Sequence, residues 1–263
     1  MIKLDQICNF LNEIAPLQLA EDWDNVGLLV GDRELEIRKV MTCLTITPES
    51  ADEAIKQQVD LIVSHHPLPF RPVKRITVER TPNKLVWDLI RHNVCIYSPH
   101  TSFDSAPNGI NQSVCDQLGL QSIKPLNPLP DENHALGSGR FGELESAVSF
   151  EKFIKQLKQQ YSSDSIRVVS REKREVKKVA SACGSGGSFL GSVIQKGCDT
   201  MITGEADFHT CLEAKAQNIN LILVGHYNSE RFAVEQLAEL LSDQFHGIEC
   251  WPSRKESDPI FCM

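Results

Sequence analysis

Three short apolar runs of this chain end in histidine. His65 and His66 close DLIVSHH (60 to 66), His100 closes VCIYSPH (94 to 100) and His226 closes NLILVGH (220 to 226). Two carboxylates accompany them at matching offsets: Asp104 follows His100 by four residues, and Glu230 follows His226 by four. Imidazole combined with carboxylate, and no thiolate pair nearby, suits Zn, Mn, Fe, Co or Ni. A carboxylate can also bridge two cations. If Asn228 or Ser229 caps the following helix, Glu230 falls in its first turn, where the macrodipole favours the ionised form that a metal needs. Neighbouring side chains of a strand diverge, so His65 and His66 are expected to serve two neighbouring ions, one each, rather than to share one. A single histidine at a strand end is more often a hydrogen-bonded loop residue than a ligand. Four of them with two acids at equal spacing outweigh that plainer reading. His92, His134 and His246 lack such context, and His209, in a helix after DTMITG, has either a place at the mouth of the site or a surface one.

For these side chains to meet, the runs before them must be strands of open sheets, because ligands bind beyond the carboxyl ends of such strands. The pattern agrees. Strands are expected at 26–31, 39–46, 60–66 and 94–100, with helices at 49–58, 83–92 and 108–118. Pro125, Pro128, Pro130, Gly137 and Gly139 break the periodicity. Beyond them come strands near 144–149, 167–170, 178–183, 199–204, 220–226 and 246–251, and helices at 151–161, from Ser188, at 206–217 and at 229–241. The expected division is an N-terminal α/β half at 1–124, a Pro/Gly-rich linker at 125–141 and a C-terminal α/β half at 142–263. The fold class is α/β: two linked domains with mixed, largely parallel sheets, and the metal site in the cleft between them.

Composition narrows the function classes. There are 27 Lys+Arg against 35 Asp+Glu, a net charge of −8, and 41% hydrophobic residues, which excludes a collagenous or disordered chain. The acidic balance disfavours nucleic acid, and REKREVKK (171 to 178) reads as a solvated linker or edge strand rather than a nucleic-acid patch. The nine cysteines contain no Cys-x-x-Cys pair and read as small buried residues of a reducing compartment. No apolar run reaches the length of a membrane span, and the first residues carry acids where a signal peptide is apolar, so a cytoplasmic location is expected. SACGSGGSF (181 to 189) joins a strand to a helix start through glycines. It admits either a phosphate cradle or a tight turn, and it lacks the GK[ST] of a P-loop.

WDNVGLLVG (23 to 31), DLIVSHHPL (60 to 68), HTSFD (100 to 104) with NGIN (108 to 111), GSGRFGEL (137 to 144), ITGEADFH (202 to 209) and GHYNSE (225 to 230) together resemble the successive blocks of the GTP cyclohydrolase I type 2 homolog family, also called Nif-three-like. The likeness spans nearly the whole chain. It implies two divalent cations per chain with His65, His66, Asp104, His226 and Glu230 as ligands. Glu230 would bridge, His65 and Asp104 would complete one ion, and His66 and His226 the other. His100 would stand beside the metals, facing substrate or supporting a ligand. The resemblance also implies a homo-oligomer in the form of a toroidal hexamer. Many relatives have Asn where this chain has Ser102, which bears on substrate contacts rather than on ligands. Many longer relatives carry an inserted domain for which the 121–141 segment leaves no room.

The reaction so implied is hydrolytic opening of the GTP imidazole ring with release of formate, water activated by the metal pair attacking C8 and His100 moving a proton. The same pair would serve an amidohydrolase or phosphoesterase on another substrate. From a different class, the chain would be a ring-forming, metal-binding regulatory or scaffold protein without turnover.

Overall fold

The computed structural model describes residues 1–130, 136–163, 166–170 and 175–261. His134 and Cys262 lie outside the described residues, as does the first half of REKREVKK, of which Glu175 to Lys178 belong to a strand. The chain is a mixed α/β protein with two main sheets. It divides into two compact units: Met1–Phe103 with Arg231–Ser257, and Asp104–Glu230 with Asp258–Met263.

The first unit is built on five strands in the order Glu249–Pro252, Lys39–Cys43, Leu61–Ser64, Cys95–Ser98, Gly27–Val30. The first four run parallel and Gly27–Val30 is antiparallel at the edge. Leu61–Ser64 and Cys95–Ser98 are buried along their whole length, the mark of parallel strands covered on both faces, and this explains why they read as unbroken apolar runs. Between Lys39–Cys43 and Leu61–Ser64 the helix Pro48–Gln57 starts at Thr47, whose side chain accepts from the Ser50 amide, and ends at Gln58 in a left-handed conformation. Met41, Ile62, Val86, Leu89 and Ile96 form the heart of this unit's core.

The second unit has six strands in the order Arg167–Val169, Asn220–Leu223, Thr200–Thr203, Glu175–Ala182, Arg140–Ser149, Gln121–Lys124. Only the three centred on Thr200–Thr203 are mutually parallel. The core here is Ala180, Val193, Met201, Ala214 and Leu221 with their neighbours. Helix Phe208–Ala216 begins at Asp207, which accepts from the Thr210 amide.

These units are not the sequence halves expected from the 125–141 break, and strand pairing is the reason. Gln121–Lys124 pairs with Arg140–Ser149, which draws the residues from Asp104 onward into the second unit. Glu249–Pro252 pairs with Lys39–Cys43, which returns the C-terminal segment to the first. Buried Glu53 then fastens that segment, accepting from Ser253 Oγ at 2.7 Å and from the Arg254 and Lys255 amides. Among the described residues no helix is long and apolar enough to cross a membrane.

Candidate metal centre

In the first unit, the parallel ladder continues past its strands. His65 N donates to Cys43 O at 2.9 Å, His66 N to Leu44 O at 2.8 Å, and Ser98 Oγ to His65 O at 2.6 Å. The chain then bends into Pro67. Side-chain alternation is lost at that bend, so the rings of His65 and His66 lie 5.1 Å apart by centroid instead of diverging as a regular strand would make them. His100 joins them, and one ring nitrogen from each of the three lies within 4.8 Å of the others. The rings of His65 and His66 are thus closer than regular strand alternation would place them.

The rings of His66 and His100 are each anchored through Nδ1. Thr45 Oγ1 lies 2.7 Å from His66 Nδ1. The backbone before Thr45 is held by the Glu256 carboxylate, which accepts from the Leu44 and Thr45 amides at 2.9 and 2.6 Å. His100 Nδ1 lies 2.8 Å from both oxygens of Asp24. Exposed Trp23 and Phe70 flank the His100 ring, with centroids 5.9 Å from it. His100 itself has φ +30°, an uncommon conformation for a residue with a Cβ and one that clusters at functional sites.

In the second unit the acids gather. His226 and Glu230 both lie on the helix His226–Gln244, one turn apart, with His226 Nε2 3.1 Å from Glu230 Oε2. The helix thus begins three residues before the expected start. Glu230 therefore stands in its second turn rather than its first. His226 Nδ1 is 2.9 Å from Glu205 Oε1, which Ser185 Oγ also meets at 2.6 Å. Hydrogen bonding to Glu230, opposed by burial and supported by Glu205, raises the His226 pKa to about 9 without a metal present. An oxygen of Asp104 lies within 4.8 Å of one of Glu230. Asp104 Oδ1 accepts from the Cys183 thiol at 3.2 Å, and burial pushes that thiol's pKa up, which keeps its proton in place. Asn111 holds the pair, its Nδ2 donating to Asp104 O and its Oδ1 accepting from Cys183 N at 2.9 Å.

The glycine-rich segment has a role that the sequence left open. Gly184 has φ +59°, and a Cβ there would stand 2.3 Å from Glu230 Oε1 and 3.4 Å from His226 Nε2. Its amide donates to Ser229 Oγ and that of Gly186 to Thr203 Oγ1. Those two amides are used within the protein; Gly184 serves close packing against Glu230, Gly186 against Ala182 and Thr203, and Gly187 against Ala206. Ser102 is fully buried and its hydroxyl reaches the Pro99 and Ala15 carbonyls, which makes it a backbone support and not a substrate contact. His209 is exposed on helix Phe208–Ala216.

Of the six residues singled out from sequence, the structure groups His65, His66 and His100 in one unit, and Asp104, His226 and Glu230 in the other. The donors are imidazole nitrogens and carboxylate oxygens, a set that fits a divalent cation, and the space kept clear at Gly184 suits a carboxylate that must stay in position. Sequence reasoning missed Asp24, Asn111, Cys183 and Glu205 as supports; Asp24, Cys183 and Glu205 lie 76, 79 and 21 positions from the groups they hold, and Asn111 joins Asp104 to Cys183, 72 positions away.

Residues 2–259 match the family model Duf34/NIF3 (NGG1p interacting factor 3). The chain belongs to the Duf34/NIF3 family. Within it, the chain is 32% identical to a GTP cyclohydrolase 1 type 2 homolog of Clostridium acetobutylicum, over 94% of this chain and 92% of the relative. Among solved structures it resembles Staphylococcus aureus protein SA1388, with a TM-score of 0.89, 27% identity and coverage of 100% and 99% of the two chains. It also resembles reduced HcgD from Methanocaldococcus jannaschii, with a TM-score of 0.83 and 29% identity over 95% and 97%. The resemblance inferred from the sequence blocks is therefore the family to which the chain belongs.

Proposed function

We propose that this Duf34/NIF3 protein is a dinuclear metal-dependent hydrolase, with His65, His66, Asp104, His226 and Glu230 holding two divalent cations and Glu230 bridging them. The observation that carries this reading is the Glu230 carboxylate, buried beside His226 and Asp104 and given room by Gly184. Two carboxylates offset half the charge of two divalent cations, so the centre favours an anionic substrate. When bound, the cations supply Lewis acidity, polarising a carbonyl, amidine or phosphoryl centre and acidifying water. The protein's own contribution is a proton acceptor, His100, held by Asp24 with its ring against those of His65 and His66. The relatives' name, GTP cyclohydrolase 1 type 2 homolog, supports ring opening of a nucleotide such as GTP as the reaction. A toroidal hexamer in the cytoplasm belongs to the same proposal and rests on the family resemblance alone.

The test is elemental analysis of the purified protein beside turnover of a panel of nucleotides, formyl compounds and phosphate esters. The expected result is close to two divalent cations per chain and turnover that is lost in His66→Ala and Glu230→Ala. A single tight ion that survives loss of His226 overturns the dinuclear assignment. Two ions with no turnover and tight capture of a partner protein favours the scaffold reading instead.

A further inference from the structure

The Asp24 carboxylate is more completely held than its distance from the sequence motifs suggests. Its side chain is fully buried. It accepts from Asn25 N at 2.8 Å, from Thr101 N at 3.2 Å and from Thr101 Oγ1 at 2.5 Å, and it faces His100 Nδ1 through both oxygens at 2.8 Å. Every other partner is a donor, so the carboxylate acts as an acceptor throughout. Its pKa is lowered, burial being outweighed by the bonds from His100 and Thr101. The segment is itself tied down. Asn25 Nδ2 donates to Pro69 O at 2.8 Å and Glu21 N to Thr101 Oγ1 at 3.0 Å, joining the loop before Gly27–Val30 to the residues after His66 and to the helix that begins at His100.

We propose that Asp24 is a positioning residue that fixes the tautomer of His100. A neutral imidazole has one proton to place. Facing an acceptor that three other donors already orient, that proton sits on Nδ1, and Nε2 is left with its lone pair. The ring is also fixed in direction, by Asp24 on one side and by the rings of His65, His66, Trp23 and Phe70 around it. Without Asp24, the commoner placement of the proton on Nε2 would block that nitrogen as an acceptor. This inference rests on the reading of His100 as the group that takes a proton during hydrolysis, and it names the residue that readies it.

The experiment is imidazole two-bond 1H–15N NMR on chelator-treated, 15N-labelled protein at a pH where the ring is neutral, with His100→Gln used to assign the His100 signals. The wild type is expected to carry the His100 proton on Nδ1, and Asp24→Asn to move it onto Nε2 in a substantial fraction of molecules. In metal-loaded protein, Asp24→Asn should lower kcat roughly a hundredfold, the scale of a lost acid–base group, with KM little changed. A wild-type proton on Nε2, or a tautomer unchanged in Asp24→Asn, overturns the proposal. Should that variant fail to fold, the wild-type spectrum decides alone. Failure of the hydrolase reading would show separately, as wild-type protein that binds metal and turns nothing over, while the tautomer is read on metal-free protein.

Discussion

Two helices of this protein each present a histidine and, four residues on, a carboxylate, and they are stabilised in different ways. His226–Gln244 is 19 residues long, and its histidine and Glu230 touch directly. His100–Ser105 has only six residues, too few to persist by its own hydrogen bonds. Its start is held by Asp24 and by the Ser102 hydroxyl. Just beyond its end, Arg140 Nη2 donates to the Ser105 and Ala106 carbonyls at 2.9 and 3.1 Å. Arg140 is almost completely buried, and its remaining donors go to Gly137 O, Gly139 O and Gln112 Oε1. The difference teaches that equal spacing in sequence hides unequal support: one histidine–acid pair is secured by its own helix, the other by residues recruited from elsewhere.

The sharpest break of that comparison is Arg140→Met, which removes five hydrogen bonds. It should cost about 3 kcal/mol or more in denaturant unfolding, whereas Arg231→Met, at a buried ion pair on the long helix whose Glu256 carboxylate keeps the Leu44 and Thr45 amides, should cost less. Equal losses would mean the short helix does not depend on Arg140.

If Glu230 bridges two ions as proposed, Glu230→Gln lowers metal affinity for both while circular dichroism stays native. His65→Ala should mainly empty one. Glu230→Gln retaining both ions at wild-type affinity would move the bridge to Asp104 or Glu205.

Gly184→Ala sharpens the same point at a smaller scale. Its φ of +59° and the clash with Glu230 Oε1 should cost about 1–3 kcal/mol and reduce metal content. Gly119→Ala, with φ +69° and open space around it, should show strain of about 1 kcal/mol and wild-type metal content.

The smallest effects concern pH in metal-free protein, and they have opposite signs. Asp24 has a lowered pKa, so its contribution is present above the ordinary carboxylate value of 3.8 and is lost as pH falls through the folded value. The stability gap between wild type and Asp24→Asn should narrow in acid. His226 has a raised pKa, so its pairing with Glu230 is fully present below 6.5 and fades as pH rises through about 9. The gap between wild type and Glu230→Gln should narrow in alkali, and a chemical-denaturation series against pH checks both.

Much of this was legible in the chain itself. Apolar runs closed by histidine located the strands at Leu61–Ser64, Cys95–Ser98 and Asn220–Leu223, because strands buried on both faces leave no polar interruptions. The blocks around His65, Asp104 and Glu230 carried the family. The first helix, Leu4–Ile14, is not among the expected elements, although Leu4, Ile7, Cys8 and Leu11 show helical spacing and are buried.

What the sequence determined by itself was local: which segments alternate as strand and helix, and which residue types wait at their ends. Burial and periodicity act over a few neighbours and leave their mark there. Only the tertiary structure decided that His65 and His66 bend together, that Asp24 reaches His100 across 76 positions, and that Gly184 clears space for Glu230. It also decided that the last strand returns to pair with Lys39–Cys43 and so redraws the units. Those outcomes depend on strand order and loop course, where a carboxylate or a missing Cβ acts on whatever the fold brings beside it, and no spacing along the chain encodes that neighbour.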